Sequence, residues 1–450
     1  MQSLIQKYNV PGPRYTSYPT VPFWDEASFS VQKWIKSLNH PAYKNDPISL
    51  YIHLPFCESL CTFCACNKRI TKQHSVEQPY IEAVLKEWKM YVSILGEIPV
   101  IEEIHLGGGT PTFFSSEHLK MLIEGIFEHA TKAENHEFSF EGHPNNTTKE
   151  QLQTLYSLGF RRVSFGIQDY NFKVQKAIHR IQPFENVEKV TSWARNIGYT
   201  SIGHDLIFGL PFQGLEDVDY TIKQTNYLQP DRIAFYSYAH TPWIKGNGQR
   251  GFDEADLPSA ELKRKQYELG KNALENAGYE EVGMDHFALK SDQLIHSQKK
   301  GDLHRNFMGY TTTKAKKMIG LGVSSISDSW FGFAQNEKEL NLYYQRISQG
   351  QLPVFRGHDL TEEDLIIRQH ILNLMCNFET TWSEDENYVS DLKNILIELS
   401  EMANDNLVIL SKNNIKVTTK GKAFIRNICM AFDLRLKANK PEQRLFSMTI

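Results

Sequence analysis

Residues 48–68 read ISLYIHLPFCESLCTFCACNK, and this stretch carries the strongest structural signal in the chain. It begins as an apolar run typical of a buried strand and ends in four closely spaced cysteines, Cys57, Cys61, Cys64 and Cys66. The first three have the spacing C-x3-C-x2-C. Three such thiolates are suited to ligating three irons of a [4Fe–4S] cluster, which leaves the fourth iron open to another ligand.

Two other interpretations of the cysteines stay open at this point. Clustered cysteines in an intracellular protein are often zinc ligands, although structural zinc usually takes two pairs of ligands from separated segments. The other cysteines, Cys376 and Cys429, lie far downstream. A disulfide framework is disfavoured because cytosolic thiols stay reduced. The spacing therefore favours Cys57, Cys61 and Cys64 as cluster ligands, and we expect Cys376 and Cys429 to be small buried residues.

Composition and charge limit the class of protein. With 450 residues, of which 41% are apolar, the chain has room for one large catalytic unit and a smaller domain. The first residues lack the apolar segment of a signal peptide, and no apolar run is long enough to span a bilayer. We therefore expect a cytoplasmic protein without a membrane partner. The net charge of −4 gives no electrostatic support for a nucleic-acid partner.

Short β-rich runs recur along the chain and are separated by helical patterns. These runs are 48–54, 102–106, 137–141, 161–168, 201–206, 231–238 and 279–284. Between them, Ser115 or Ser116 marks the start of an amphipathic helix, and Thr147 with Glu150 forms a capping-box pattern. Strands that alternate with helices at this interval predict βαβ units and a parallel sheet, which is the α/β fold class.

Six of these runs end in polar or glycine residues. The first leads to Cys57, and the others reach Gly107–Thr110, Glu141, Gln168, Asp205 and Tyr236–His240. In parallel α/β barrels, catalytic groups from several strands collect at the carboxyl ends of the strands. The pattern therefore predicts a barrel with its site at that edge, while a network of ion pairs that serves stability alone is the structural alternative.

The three glycines 107–109 allow a ligand to approach the backbone closely. They form neither a P-loop nor a G-x-G-x-x-G dinucleotide signature, because the residues that follow do not match.

Three regions are distinguishable along the chain. Residues 1–45 form an N-terminal arm whose segment 12–19 is rich in turn formers and aromatic residues. Residues 46–358 contain the recurring strands and form the catalytic barrel domain. Residues 359–450 show helical periodicity from about Leu360 and a small β-hairpin between 406 and 419, which predicts a smaller, mainly helical domain.

These motifs resemble those of the oxygen-independent coproporphyrinogen III oxidase family, a branch of the radical SAM superfamily. The matching segments span nearly the whole chain and comprise residues 12–20, 57–68, 107–112, 168–169, 205–211, 283–286, 304–312 and 426–430. The resemblance implies a partial TIM-like (β/α)6 radical-SAM barrel with an N-terminal arm and a helical C-terminal domain.

The resemblance also implies a reaction of haem biosynthesis. The cofactors would be one [4Fe–4S] cluster and two molecules of S-adenosylmethionine. The reduced cluster breaks a C–S bond of S-adenosylmethionine, and the resulting 5′-deoxyadenosyl radical takes a hydrogen atom from the β-carbon of a substrate propionate. Loss of CO2 and one electron leaves a vinyl group, and two such steps convert coproporphyrinogen III to protoporphyrinogen IX. An external electron donor and an electron acceptor would be needed.

Site residues follow from the same resemblance, position by position. Cys57, Cys61 and Cys64 would ligate the cluster, and Tyr51 and Glu141 would complete the catalytic set. The cluster-bound S-adenosylmethionine would contact Tyr51, Phe63, Gly108, Glu141 and Ile326. The second molecule would contact Gly109, Thr110, Gln168, Arg180, Asp205 and Ala239. Candidate partners of the substrate propionates are Arg14, Lys68, Arg69, His304 and Arg305.

Two residues depart from the family pattern. His143 stands where the family often has Asp, and Met308 stands where Gln is familiar. Either residue could reshape the second S-adenosylmethionine site or the substrate face.

Two related functions stay as alternatives. A haem chaperone would bind haem without transforming a porphyrinogen, and a radical methyltransferase would methylate haem. Such chaperones tend to lack the fourth cysteine, the arm and the Arg426–Met430 ending, all of which this chain has. We expect the protein to be a monomer.

Overall fold

A computed structural model describes residues 2–243, 248–383, 388–439 and 445–449. The strands are β1 Ile48–Leu54, β2 Phe56–Cys57, β3 Arg69–Ile70, β4 Val100–Gly108, β5 Thr131–Gly142, β6 Phe160–Gln168, β7 Ser201–Phe208, β8 Arg232–Ser237, β9 Tyr279–Gly283, β10 His286–Leu289, β11 His304–Asn306, β12 Gly309–Thr311, β13 Lys317–Leu321, β14 Ile326–Asp328, β15 Gly332–Asn336, β16 Val354–Asp359, β17 Glu379–Thr381, β18 Val408–Ser411 and β19 Asn414–Val417.

The α-helices are α1 Gln2–Tyr8, α2 Val31–Leu38, α3 Glu77–Leu95, α4 Ser116–Phe127, α5 Lys149–Ser157, α6 Phe172–Ala177, α7 Phe184–Ile197, α8 Leu215–Leu228, α9 Ala260–Asn276, α10 Gln293–Lys300, α11 Leu340–Ser348, α12 Glu362–Asn377, α13 Leu392–Asn404, α14 Ile425–Met430 and α15 Leu434–Ala438.

One long sheet holds the site. Its centre consists of β1 and β4 to β8, which pair in parallel in chain order, and helices lie between successive strands from β4 onward. The predicted α/β class and the (β/α)6 arrangement are thereby confirmed. Beyond β1, the strand β13 adds a further parallel partner, which the strand pattern did not predict.

The remaining strands of this sheet are antiparallel. The prediction of a parallel strand over 279–284 is wrong, because β9 pairs antiparallel with β10. Only Met284 and Asp285 join these two strands, and a connection that short permits a hairpin but no crossover. At the opposite edge, β14, β15 and β16 continue from β13 as an antiparallel meander.

The first strand is buried on both faces, as its sequence predicts. Leu50, Ile52 and Leu54 have no exposed surface, and Trp88 and Tyr91 of α3 belong to the same core. Because β1 lies in the middle of the sheet with β4 and β13 on its two sides, its carboxyl end is held in place on both edges.

Helices α4 and α5 each begin directly after a residue whose side chain caps the first turn. Ser115 caps α4 through a hydrogen bond from the His118 backbone N–H, as predicted. The capping box of α5 is formed by Thr148 and Gln151, and not by Thr147 and Glu150. Thr147 lies one residue before the cap position, and its hydroxyl donates a hydrogen bond to the carbonyl of His143.

The arm is not entirely irregular, because α1 and α2 flank its segment 12–19. Leu4 and Tyr8 pack on Leu407 and Phe424, and the arm's Tyr15 and Tyr18 lie in the core of the C-terminal region. That region contains α12 to α15 and a small sheet in the order β17-β19-β18, which includes the predicted hairpin. Within the described ranges, no helix combines the length and apolar character that a bilayer span requires.

Candidate active site

The cysteines occupy a loop at the carboxyl end of β1. Within it, β2 and β3 pair in parallel and close the segment between Cys57 and Arg69. Thr62 ties the loop to the end of α6, because its N–H donates to the Ile178 carbonyl and its hydroxyl donates to the Ala177 carbonyl, each at 3.0 Å. The loop is therefore fixed to the barrel at both ends and in the middle.

A cleft of about 850 Å3, including the part open to solvent, lies against this loop. It brings together most of the residues that the family resemblance implies, from five separate strand ends. These residues are Cys57, Cys61, Phe63, Cys64, Gly108, Gly109, Thr110, Glu141, Gln168, Arg180 and Asp205. Cys66, Lys68 and His143 line the same cleft. The arrangement of polar strand ends at one edge of the sheet agrees with the sequence prediction.

The cysteine sulfurs meet hydrogen-bond donors. The Thr110 hydroxyl donates to Cys57 Sγ at 3.3 Å, and Arg180 Nη1 donates to Cys61 Sγ at 3.8 Å. Burial raises the pKa of Cys57 to about 11, whereas the hydrogen bond with Cys66 lowers the pKa of Cys64 to about 6. Thiolates that ligate iron–sulfur clusters are stabilised by such donors. The donor set and the adjoining cleft thus fit a cluster held by three cysteines.

Among the described residues, no three Cys, His, Asp or Glu side chains converge on one point as a single-ion site would require. Ligands of an iron–sulfur cluster bind different irons, so they need not converge.

The glycines at the end of β4 pack closely against the segment that leads into the cysteine loop. A Cβ on Gly109 would lie 2.5 Å from the backbone carbonyl of Pro55, and one on Gly108 would lie 2.6 Å from the His53 ring. Gly108 also has a φ of +112°, which favours glycine. The Gly109 N–H donates to the Leu54 carbonyl at 2.8 Å. These glycines therefore bring β4 and the cysteine loop together, in addition to exposing backbone to the cleft.

Glu141 lies at the end of β5. Burial opposes its ionisation, but the hydrogen bond with His105, at 3.5 Å from Nε2 to Oε1, and the N–H of Gly108 together lower the pKa of Glu141. His105 is in turn held by the Ser139 hydroxyl at 2.8 Å from its Nδ1. The sequence analysis missed His105, although its place just before the glycine strand end was an available signal.

Arg180, Gln168 and Asp205 form the opposite side of the cleft. Arg180 Nη2 donates to the Gly166 carbonyl at 2.6 Å. Gln168 has a φ of +70°, a conformation that non-glycine residues rarely adopt and that occurs often at functional sites. Burial, with the nearby charge of Glu141, raises the pKa of Asp205 to about 7, while the Ser164 hydroxyl donates to its Oδ1 at 2.9 Å.

Three residues implied by the resemblance do not line the cleft. Tyr51 lies behind Glu141, with its hydroxyl 3.0 Å from His53 Nδ1. His53 Nε2 also contacts the Asn67 carbonyl at 2.8 Å, which links the first strand to the cysteine loop. Ala239 accepts a hydrogen bond from Gln249 on its carbonyl, and Ile326 begins β14. The sequence analysis also missed His53 and Gln249.

The two departures from the family pattern take different positions. His143 lines the cleft beside Arg180, and burial, together with the Arg180 charge, lowers its pKa well below the usual range. Met308 lines a second cavity further inside the barrel. A neutral imidazole thus stands in the cleft where the family often has a carboxylate.

Comparison with known proteins agrees with this geometry. The radical SAM superfamily model matches residues 51–225. Oxygen-independent coproporphyrinogen III oxidase from Salmonella typhimurium is 39% identical, covering 100% of this chain and 98% of the relative. The protein of that name from Synechocystis is 38% identical, covering 99% and 97%.

A solved structure shows the same relationship. Coproporphyrinogen III oxidase from Escherichia coli, described as a radical SAM enzyme, superposes with a TM-score of 0.90 at 37% identity and covers 96% of this chain and 98% of its own. Relatives this similar over nearly their whole length share the fold. The chain therefore belongs to the oxygen-independent coproporphyrinogen III oxidase family of the radical SAM superfamily.

Proposed function

We propose that the chain decarboxylates two propionate side chains of coproporphyrinogen III oxidatively and so forms the vinyl groups of protoporphyrinogen IX. The observation that carries the proposal is the meeting of three cysteines with Glu141, Arg180 and Asp205 in one cleft at the carboxyl edge of the parallel sheet. Full-length relatives named for this reaction support it.

Cys57, Cys61 and Cys64 would hold the [4Fe–4S] cluster, while Cys66 would remain free. When bound, the cluster and S-adenosylmethionine supply the abstraction of a hydrogen atom from an unactivated carbon. The chain's own part is to hold these groups, to orient the substrate carbon toward them and to exclude competing reactions.

The charges of the cleft suit two S-adenosylmethionine molecules. Glu141 is ionised at neutral pH and would bind the first molecule with Tyr51, Phe63, Gly108 and Ile326. On the opposite side, the Arg180 guanidinium would bind a carboxylate of the second molecule. Asp205 would accept hydrogen bonds from its hydroxyl or amino groups, and Gly109, Thr110, Gln168 and Ala239 would complete that subsite.

The proposal extends to partners and location. An external one-electron donor would reduce the cluster, and a separate acceptor would take the electron that decarboxylation leaves behind. We place the protein in the cytoplasm, where its six free thiols would stay reduced, and we propose that it is a monomer. The boundaries 1–45, 46–358 and 359–450 are part of the same proposal.

The test is anaerobic turnover of coproporphyrinogen III labelled in its propionate carboxyls. The reconstituted and reduced protein should release labelled CO2 and form protoporphyrinogen IX with 5′-deoxyadenosine, whereas Cys57→Ser should release none. Uptake of haem without cleavage of S-adenosylmethionine would favour the haem chaperone, and methylated haem would favour the methyltransferase. Either result would contradict the proposal.

A further inference from the structure

A second cavity of about 750 Å3 lies inside the barrel and shares Glu141 and Asp205 with the cysteine cleft. Tyr236, His286 and Tyr310 are among the residues that line this inner chamber. The Tyr236 hydroxyl lies 3.2 Å from His286 Nε2, and the rings of His286 and Tyr310 are 5.2 Å apart. A group that packs behind these residues therefore lies next to the chamber, one side chain away from its interior.

Arg305 packs against one of these residues, Tyr310. It lies directly opposite Tyr310 in the β11–β12 hairpin, and its guanidinium sits 4.6 Å from the centre of the Tyr310 ring. Its charge also acts on Tyr236 and His286. Only 4% of Arg305 is exposed, yet its Nε and Nη1 have no hydrogen-bond partner, and it forms no ion pair with any residue in the described ranges. A buried cation without a partner is costly, so its presence calls for a ligand.

Two further arginines, Arg14 and Arg426, lie in the same region as Arg305. Arg14 of the arm lies 3.6 Å from Asp285 and donates to the Ser237 carbonyl at 2.8 Å. Arg426 is 7% exposed and donates to backbone carbonyls, including that of Pro13 at 2.9 Å. All three arginines act on Asp285, the carboxylate at the centre of this group. Three guanidinium groups thus act on Asp285, with Glu281 as the second carboxylate near it, and Arg305 and Arg426 are the buried cations of this group.

The other candidate propionate partners are already engaged. Lys68 donates to the carbonyls of Cys64 and Cys66, and Arg69 pairs with Glu339 at 2.7 Å on the surface. Burial, with the charge of Arg368, lowers the pKa of His304 to about 3, so His304 is neutral. Arg305 has no ion pair in the described ranges, and Arg14 pairs with Asp285 at 3.6 Å, a carboxylate on which Arg305 and Arg426 also act.

We propose that Arg305 and Arg14 bind a propionate carboxylate of the substrate, one remote from the reacting group, while Arg426 positions the arm that carries Arg14. This inference rests on the proposed function, because it assigns the recognition of that substrate. A guanidinium whose Nε and Nη1 have no partner matches a carboxylate in charge and in hydrogen-bonding capacity. The site would select tetrapyrroles by their acidic side chains.

Equilibrium binding of coproporphyrin III, a fluorescent and air-stable probe with the same propionates, tests the inference without turnover. The affinity should fall at least tenfold in R305Q and in R14Q, since each variant removes charge-assisted hydrogen bonds to the probe. The tetramethyl ester of the probe lacks the negative charges and should bind R305Q and the unmodified protein equally.

Thermal unfolding separates recognition from structure. Because Arg305 is unpaired in the free protein, R305Q should keep or raise the Tm. The matched control is R368Q: Arg368 is also buried, at 6% exposure, but it pairs with Asp328. R368Q should lower the Tm and leave the affinity for coproporphyrin III unchanged.

Three results would overturn the inference: unchanged affinity in R305Q, a loss of Tm in R305Q equal to that in R368Q, or no binding of the probe to the unmodified protein. The proposed function is judged separately, by the release of CO2 from coproporphyrinogen III. An active enzyme whose R305Q variant binds the probe normally would reject this inference alone.

Discussion

Glu87 provides a sharp test of how the barrel is held together. It is fully buried on α3 and accepts three hydrogen bonds: from the N–H of Gly322 at 2.8 Å, from the Tyr343 hydroxyl at 2.7 Å and from Asn336 Nδ2 at 2.5 Å. One carboxylate thus ties the helix after the cysteine loop to the segment that follows β13, to β15 and to α11. Burial raises the pKa of Glu87 from 4.5 to about 7.

The expected pH dependence follows from the direction of this shift. A carboxyl group whose pKa is higher in the folded than in the unfolded state stabilises the fold fully below pH 4.5, and this contribution is lost as the pH rises through 7. At about 1.4 kcal/mol for each pH unit of the shift, the loss between pH 4.5 and pH 8 amounts to about 3 kcal/mol. Glutamine cannot titrate, so Glu87→Gln should remove this dependence.

Urea unfolding at several pH values measures the effect. The free energy of unfolding of the unmodified protein minus that of Glu87→Gln should fall by about 3 kcal/mol from pH 4.5 to pH 8. The subtraction cancels other titrating groups that lie far from Glu87. Glu82→Gln, at an exposed position of the same helix, is the control. A difference that stays constant within about 0.5 kcal/mol, or that grows with pH, would refute the reasoning.

Three further predictions concern the cysteine loop and the C-terminal region. Replacing Cys57, Cys61 or Cys64 by Ser should abolish cluster incorporation by iron and sulfide analysis, whereas Cys66→Ser should retain the iron; equal loss in all four would reject the ligand assignment. Gly109→Ala should cost about 1–3 kcal/mol in urea unfolding, because its Cβ would lie 2.5 Å from the Pro55 carbonyl; unchanged stability would contradict this packing. Asp364→Asn should cost about 2–4 kcal/mol, because Asp364 is buried and bonds Arg435 through both carboxylate oxygens at 2.7 Å. Burial opposes the ionisation of Asp364, but the hydrogen bond with His358 and the pair with Arg435 lower its pKa, so this cost should fade as the pH falls below 3.8, and a cost independent of pH would count against the ion pair.

The parallel core of the sheet was predictable because each strand carries its own signal. The apolar run Ile48–Leu54 coincides with β1, and the polar residue after each run lies at the carboxyl edge of the sheet. Strand order in this part follows chain order, so local patterns were sufficient. The strand β13 was missed because its place beside β1 depends on a pairing across more than half of the chain.

Two predictions from the sequence were wrong, the capping box of α5 and the parallel strand over 279–284, and each has a physical reason. Thr147 and Thr148 both stand three residues before a residue that can complete a capping box. Thr148 is the residue that accepts the hydrogen bond from the Gln151 N–H, and the sequence alone does not show which of the two adjacent threonines takes that position. Likewise, the residues of β9 have the pattern of an ordinary strand. Only the short connection to β10 indicates that the two strands form an antiparallel hairpin.

The candidate site was predictable in its main members but not in its supporting contacts. Cysteine spacing and strand ends indicate Cys57, Glu141 and Asp205 directly. His105 and His53 act through bonds to Glu141 and Tyr51, which only the folded chain brings together. The unpaired state of Arg305 is equally invisible in the sequence, since burial and the absence of partners are properties of the packed interior.

The most direct test of the account is metal and sulfide analysis of the protein isolated without oxygen, combined with electron paramagnetic resonance after reduction. The account predicts about four iron and about four sulfide per chain, with a [4Fe–4S] spectrum that changes when S-adenosylmethionine is added. Zinc in place of iron, or a spectrum that S-adenosylmethionine leaves unchanged, would contradict a cluster with an open coordination position at Cys57, Cys61 and Cys64.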